Sequence, residues 1–342
     1  MPNLIWLLLA LIQVRGQPLA AGTLSGGTVV PLERAAGGDT PVLTLAGPHG
    51  VLRLLLDTGA SSSMVTPQAA ARLGLMGRPL AGEELALAGG GNGCDSLRPG
   101  RTRLPLLTMA GSASDERLEI RGLDALILPA GALPAGIDGV LGAPSLRQSP
   151  VWIDPVRGSI AFGGAALRAA DRSQPRRHPT NGSGDPPTGT DPIATAADAG
   201  KTGSFPPRAA QTVPLEWRKG VPVLRLNLPG RAVQALADTG AEGLFVSGTL
   251  AAMLPGQGEE LSLRLVGFCG EQSVTQRPVT GLSLTDSDKD PQQKTAKPQQ
   301  VIVTSNPIFA ALGVEAIVGQ ELLRSRIQLW RLELDPPLLE LR

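Results

Sequence analysis

The chain has 342 residues, a formal net charge of +1, no tyrosine and an abundance of glycine and proline. That length exceeds what one hydrophobic core usually fills, so two domains are expected, and the near-neutral balance leaves no basic stripe for nucleic-acid phosphates. Cys94 and Cys269 are its only cysteines, enough for one disulfide and too few for a cysteine-rich zinc site.

In chain order, an apolar run from Leu4 to Val14 comes first. It is too short to span a bilayer comfortably and fits the core of a signal peptide, with Ala20, Ala21 and Gly22 as the small residues that follow. No Lys or Arg precedes it, so an uncleaved anchor is the other reading. Residues 1–21 are assigned to this signal or anchor, and the expected location is periplasmic or secreted, with membrane anchoring possible.

Two copies of one unit then follow. "PVLTLAGPHGVLRLLLDTGA" from Pro41 aligns without a gap on "PVLRLNLPGRAVQALADTGA" from Pro222, and "VPLER" at Val30 matches "VPLEW" at Val213. Downstream, "EELALAGGGNGC" at Glu83 pairs with "EELSLRLVGFCG" at Glu259, and "GIDGVLGAPSLRQ" at Gly136 pairs with "GVEAIVGQELLRS" at Gly313. Short alternating runs such as "PVLRLNL" mark strands, while the helical signals are few: "TPQAAARLGL", "SGTLAAML" and a turn or two after each "VLG" or "IVG". The fold class expected is all-β, two homologous barrel-like lobes at 27–168 and 211–342 in a pseudo-twofold arrangement. Between them, residues 169–210 are rich in Pro, Gly, Thr and Asp and bury too little to offset ordering entropy, which marks a linker. The polar stretch from Thr285 reads as a surface loop.

Each copy drives an aspartate, Asp57 or Asp238, to the end of an apolar strand. Equivalent points near a pseudo-twofold axis lie close together, and two carboxyls held there cannot both ionise, so they share one proton and titrate as a pair. Gly59 and Gly240 permit a sharp turn, and Thr58 and Thr239 offer hydroxyls that brace it.

These features together resemble the aspartic peptidases. Each copy shows Asp-Thr-Gly-Ala, a glycine-rich patch and a late hydrophobic-hydrophobic-Gly, at Val140 and Ile317. By chance a chain this long yields roughly 0.1 Asp-Thr-Gly, so two at matched places carry weight. The absence of tyrosine departs from the pepsin-like branch, whereas paired patches, "GGGNG" and "VGFCG", resemble the two flaps of retropepsins. The resemblance implies an endopeptidase in which Asp57 and Asp238 activate a water, with Thr58, Gly59, Thr239 and Gly240 supporting them. It further implies substrate contacts at Ser61, Glu242, Gly90, Gly91 and Gly267, no metal or cofactor, a peptide or protein as partner, and a monomer that is itself a pseudo-dimer. Glu242 is a departure, since retropepsins usually place Asp there. If the flaps meet, Cys94 and Cys269 come near one another, and either a flap-to-flap disulfide or two unpaired thiols fits.

The alternative function is an idle fold serving as a binding or scaffold module. Other chemistries fit worse. "TAADAGKT" lacks the first glycine of a phosphate loop, and "DSDKDP" lacks the sixth-position glycine of a calcium loop. Of the only two histidines, His178 falls in the linker, which disfavours a serine or cysteine triad. A two-carboxylate glycosidase would call for aromatic sugar platforms that are scarce here.

Overall fold

The computed structural model describes residues 4–7, 10–14, 19–80, 85–89, 99–110, 117–128, 133–173, 210–255, 259–267, 270–284 and 298–342. The duplication read from the sequence reappears as duplicated strand register. In the first lobe the hairpin Pro41–Gly47/Gly50–Asp57 sets Val42 opposite Leu55 and Leu45 opposite Leu52. In the second, Val221–Leu228/Arg231–Ala237 sets Val223 opposite Leu236 and Leu226 opposite Val233, the corresponding pairs. A strand carrying the late glycine motif, Gly139–Gly142 or Ala316–Val318, then runs parallel to the strand that leads into each aspartate. Leu54, Leu55 and Leu56 are all fully buried as a result, which accounts for a continuous apolar run where a half-exposed strand would alternate.

One antiparallel sheet joins the lobes. Its order is Gln211–Arg218, Leu338–Leu341, Gln328–Arg331, Val151–Asp154, Ser159–Phe162, Thr28–Pro31, three strands from each lobe. At its centre Val151 faces Trp330 and Trp152 faces Leu329. The buried Trp330 ring satisfies its Nε1–H on Gln328 Oε1 at 3.0 Å. The Arg147 guanidinium lies 4.7 Å from the Trp217 ring centre of the other lobe, adding a cation–π contact across the junction.

The four expected helices are present at Pro67–Arg72, Gly248–Met253, Ala143–Leu146 and Gln320–Leu323. Thr66 and Ser247 cap the first two by accepting from Ala69 N and Leu250 N, each at 3.1 Å. Two elements cross the expected domain boundaries. The helix Gly163–Arg172 continues past 168 into residues assigned to the linker, because Ala165, Ala166 and Ala170 form a buried stripe against Trp152 and Leu329. Arg342 fastens its end by donating to Ala170 O and Ser173 Oγ.

At the other boundary, the strand Ala21–Gly26 belongs to the first lobe, pairing antiparallel with Arg117–Ile127. Ala20 N donates to Asp124 Oδ2 at 3.0 Å, a buried carboxylate also held by Arg101 (2.5 Å) and Arg103 (3.0 Å). Burial pushes the Asp124 carboxyl up, and these donors outweigh it and hold it below the ordinary value. Residues 19–21 are thus built into the lobe rather than set apart in a leader. The rest of the assigned leader contributes strands Leu4–Leu7 and Ala10–Val14. Most of the linker and the loop from Thr285 lie outside the described residues. Among the described residues no helix is long and apolar enough to cross a membrane.

Candidate active site

Asp57 ends the strand Gly50–Asp57, and Asp238 directly follows Arg231–Ala237; both are fully buried. Within each turn the inner carboxylate oxygen is held by the turn's own amides. Asp57 Oδ1 accepts from Gly59 N (2.8 Å) and Ala60 N (2.9 Å), and Asp238 Oδ1 accepts from Gly240 N (2.7 Å). Among the described residues no N–H or O–H donor reaches Oδ2 of either aspartate.

The two turns are locked to each other by a reciprocal set of bonds. Thr58 Oγ1 donates to Ala237 O (2.7 Å) and accepts from Thr239 N (3.0 Å). Thr239 Oγ1 donates to Leu56 O (2.7 Å) and accepts from Thr58 N (3.1 Å). Each hydroxyl thus both donates and accepts across the junction, a capacity Ser shares and Val lacks.

Glycine follows for a steric reason. A Cβ on Gly59 would collide with the Asp238 carboxyl, and one on Gly240 would stand 2.5 Å from Asp57 Cγ. A Cβ on either late glycine would also collide, 2.7 Å from Ala60 O at Gly142 and 2.2 Å from Ala241 O at Gly319. The next residue of each motif ties the two layers, through Ala143 N to Ala60 O (2.9 Å) and Gln320 N to Ala241 O (2.8 Å).

Electrostatics follow from this enclosure. Burial first, then the neighbouring Asp238 charge, raises Asp57 well above the ordinary carboxylate range. Burial also pushes Asp238 up to about 6, with the rise restrained by hydrogen bonds from the Asp57 carboxyl and the Gly240, Gly59 and Ala241 amides. Both carboxyls are thus held above the ordinary carboxylate range, and two such neighbours titrate as a unit rather than one by one.

The other residues singled out in the sequence are placed differently. Glu242 turns away from the carboxyl pair and clasps the first lobe: Oε1 accepts from Thr40 N (2.8 Å) and Thr40 Oγ1, and Oε2 accepts from Asp39 N (2.8 Å). Ser61, its counterpart in the repeat, lies against Gly220 in the first hairpin turn of the second lobe. The two positions thus make matching cross-lobe contacts. Gly267 ends a strand and pairs with Gly270. Gly90, Gly91, Cys94 and Cys269 lie outside the described residues.

Gln320 was not legible as a site residue. Its buried side chain donates to Thr239 O at 2.8 Å, yet the first copy has Ala143 at that place, so the repeat carried no signal for it.

Residues 43–144 match the family model described as aspartyl protease. That match spans most of the first lobe and stops before the second. No curated protein sequence matches the chain. Among solved structures, the chain is similar to conglutin gamma, a basic 7S globulin from lupine seeds, at 11% identity and TM-score 0.47, covering 94% of this chain and 95% of that one. It is also similar to a basic 7S globulin from soybean at 10% identity and TM-score 0.42, with coverage of 94% and 95%. A retropepsin-like aspartic protease from Rickettsia conorii matches at 14% identity and TM-score 0.26, covering 41% of this chain and 93% of that one. The fold is the all-β acid-protease fold, one chain supplying both lobes.

In this aspartyl-protease fold, Thr58→Val strands the Thr239 amide and the Ala237 carbonyl in a dry junction. At about 1–3 kcal/mol per unsatisfied buried group, the expected loss is roughly 2–5 kcal/mol in urea unfolding, while Thr58→Ser stays close to the parent. Glu242→Ala removes an acceptor of three bonds from a half-buried position and should cost about 2 kcal/mol by the same measurement.

The pH dependence has a definite sign. Because the folded Asp238 value lies above the ordinary one, the carboxyl favours folding below about pH 4, and that contribution is lost as pH rises through about 6. Asp238→Asn should therefore unfold at higher temperature than the parent at pH 7, by the equivalent of about 2–3 kcal/mol, with the gap closing near pH 3.5.

Proposed function

We propose that the chain is an aspartic endopeptidase that hydrolyses peptide bonds with a water activated between Asp57 and Asp238. The observation that supports this reading is the reciprocal lock of the two turns, each of which carries a fully buried aspartate. A structural ion pair would supply a cation, and a like-charged pair is retained at the cost of stability where its proton chemistry is useful.

In this reading ionised Asp238 takes a proton from the water as its oxygen attacks the peptide carbonyl carbon, while Asp57 gives its proton to the carbonyl oxygen. Collapse of the tetrahedral adduct breaks the C–N bond and returns a proton to the departing amine. One water is consumed, a carboxylic acid and an amine are released, and the pair regains its single proton.

Asp57→Asn and Asp238→Asn should each lower kcat on an unstructured protein substrate by about a thousandfold or more, with circular dichroism unchanged. The parent rate should fall as pH drops below about 6, where Asp238 takes up a proton, and persist above it until Asp57 loses its own. Full turnover in either single variant would refute the pairing. Peptide binding without turnover in the parent would point to the binding-module alternative.

A further inference from the structure

The peptide unit between Thr239 and Gly240 is hydrogen-bonded at both ends. Its N–H donates to Asp238 Oδ1 at 2.7 Å, and its carbonyl oxygen accepts from Gln320 Nε2 at 2.8 Å. A carbonyl only accepts, so the amide nitrogen of Gln320 is the atom that faces it. Gln320 is 2% exposed and begins the helix Gln320–Leu323, where its own backbone N–H donates to Ala241 O at 2.8 Å. Side chain and backbone of this one residue thus grip the turn on either side of Gly240.

The two copies differ here. Ala143 makes the corresponding backbone bond to Ala60 O at 2.9 Å but has no side-chain donor to offer Thr58 O. The first turn instead sets two amides close to its carboxylate, Gly59 N at 2.8 Å and Ala60 N at 2.9 Å from Asp57 Oδ1. In the second turn Gly240 N is the main amide donor and Ala241 N contributes less. A hydrogen bond received by a carbonyl polarises its amide, and the N–H at the other end becomes a stronger donor. Gln320 therefore acts on Asp238 through a peptide bond, in the lobe whose turn has the weaker set of amides.

We infer that Gln320 is a positioning residue of the carboxyl pair, which polarises the Thr239–Gly240 peptide and so favours the ionised form of Asp238. That form is the one that takes a proton from water in the endopeptidase reading, on which the catalytic meaning of this inference rests. Asp57 is the titratable side chain that faces Asp238. The other charged groups nearby have partners of their own. Glu242, beyond the turn, is held by Asp39 N and Thr40. On the helix, Glu321 pairs with Arg324 at 3.7 Å, and Arg324 reaches Asp39 at 3.2 Å. A bond to a charged acceptor strengthened by about 10–30% lowers proton affinity roughly two- to fourfold, a shift of about 0.3–0.6 pH unit.

The test compares two replacements in the full chain. Gln320→Ala removes the donor and the side-chain volume, as in the first copy, whereas Gln320→Leu removes the donor and keeps most of the volume. The readout is the carbon-13 shift of the aspartate side-chain carboxyls in the resting protein, followed across pH and assigned with Asp57→Asn and Asp238→Asn. The Asp238 midpoint should rise by about 0.3–0.6 pH unit in both replacements. The acid limb of kcat/KM on an unstructured protein should move up by the same amount. A midpoint that moves in Gln320→Ala and stays in Gln320→Leu would make Gln320 a packing residue and overturn the inference, as would no movement in either. If Gln320→Ala does not fold, Gln320→Leu decides alone. If the parent cleaves no protein, the endopeptidase reading fails, while the carboxyl titration still decides whether Gln320 sets the proton affinity of Asp238.

Discussion

Two fully buried carboxyl groups sit at the junction of the lobes, and among the described residues no ion pair reaches either. Removing such groups from water costs several kcal/mol each. The offset comes from what is rigid: amides of each turn on the inner oxygens, and four threonine bonds that fix one turn against the other. Because each threonine bonds to the other lobe's backbone, neither turn is complete alone. The reach of this constraint extends to the glycines that let the carboxyls approach and to the parallel strands that lie beneath them.

The lobes are near copies whose differences fall at the contacts between them. Glu242 occupies one cross-lobe position with a carboxylate that gathers three donors, whereas Ser61 occupies its counterpart with a small side chain beside Gly220. Gln320 braces the second turn where Ala143 stands in the first. A true dimer could not carry such differences; fusing the copies into one chain frees each lobe to specialise. The surroundings of the two aspartates differ accordingly: Asp57 Oδ1 accepts from both Gly59 N and Ala60 N, and Asp238 Oδ1 accepts from Gly240 N.

The same apolar run supports two physical readings. As sequence, Leu4 to Val14 fits the core of a secretory signal; in the folded chain its two halves add strands to counterpart strands of the two lobes. The readings are compatible, because apolarity serves a membrane-inserting segment and a strand paired with a lobe alike. What separates them is register, which composition cannot encode.

The sequence by itself determined the duplication, the two Asp-Thr-Gly-Ala turns, the late glycines and four of the helices. Each rests on local patterns: alternation, a capping residue, or a motif repeated at matched spacing. Threonine and glycine beside each aspartate were legible as turn supports for the same reason. Only the tertiary structure decided that Glu242 clasps Thr40 and Asp39, that Gln320 holds Thr239, and that Ala21–Gly26 pairs with Arg117–Ile127. These partners are far apart in the chain, and nothing near Glu242 or Gln320 announces which backbone will face it. The alanine stripe of Gly163–Arg172 was missed because alanine reads as neutral until Trp152 and Leu329 supply the surface that buries it.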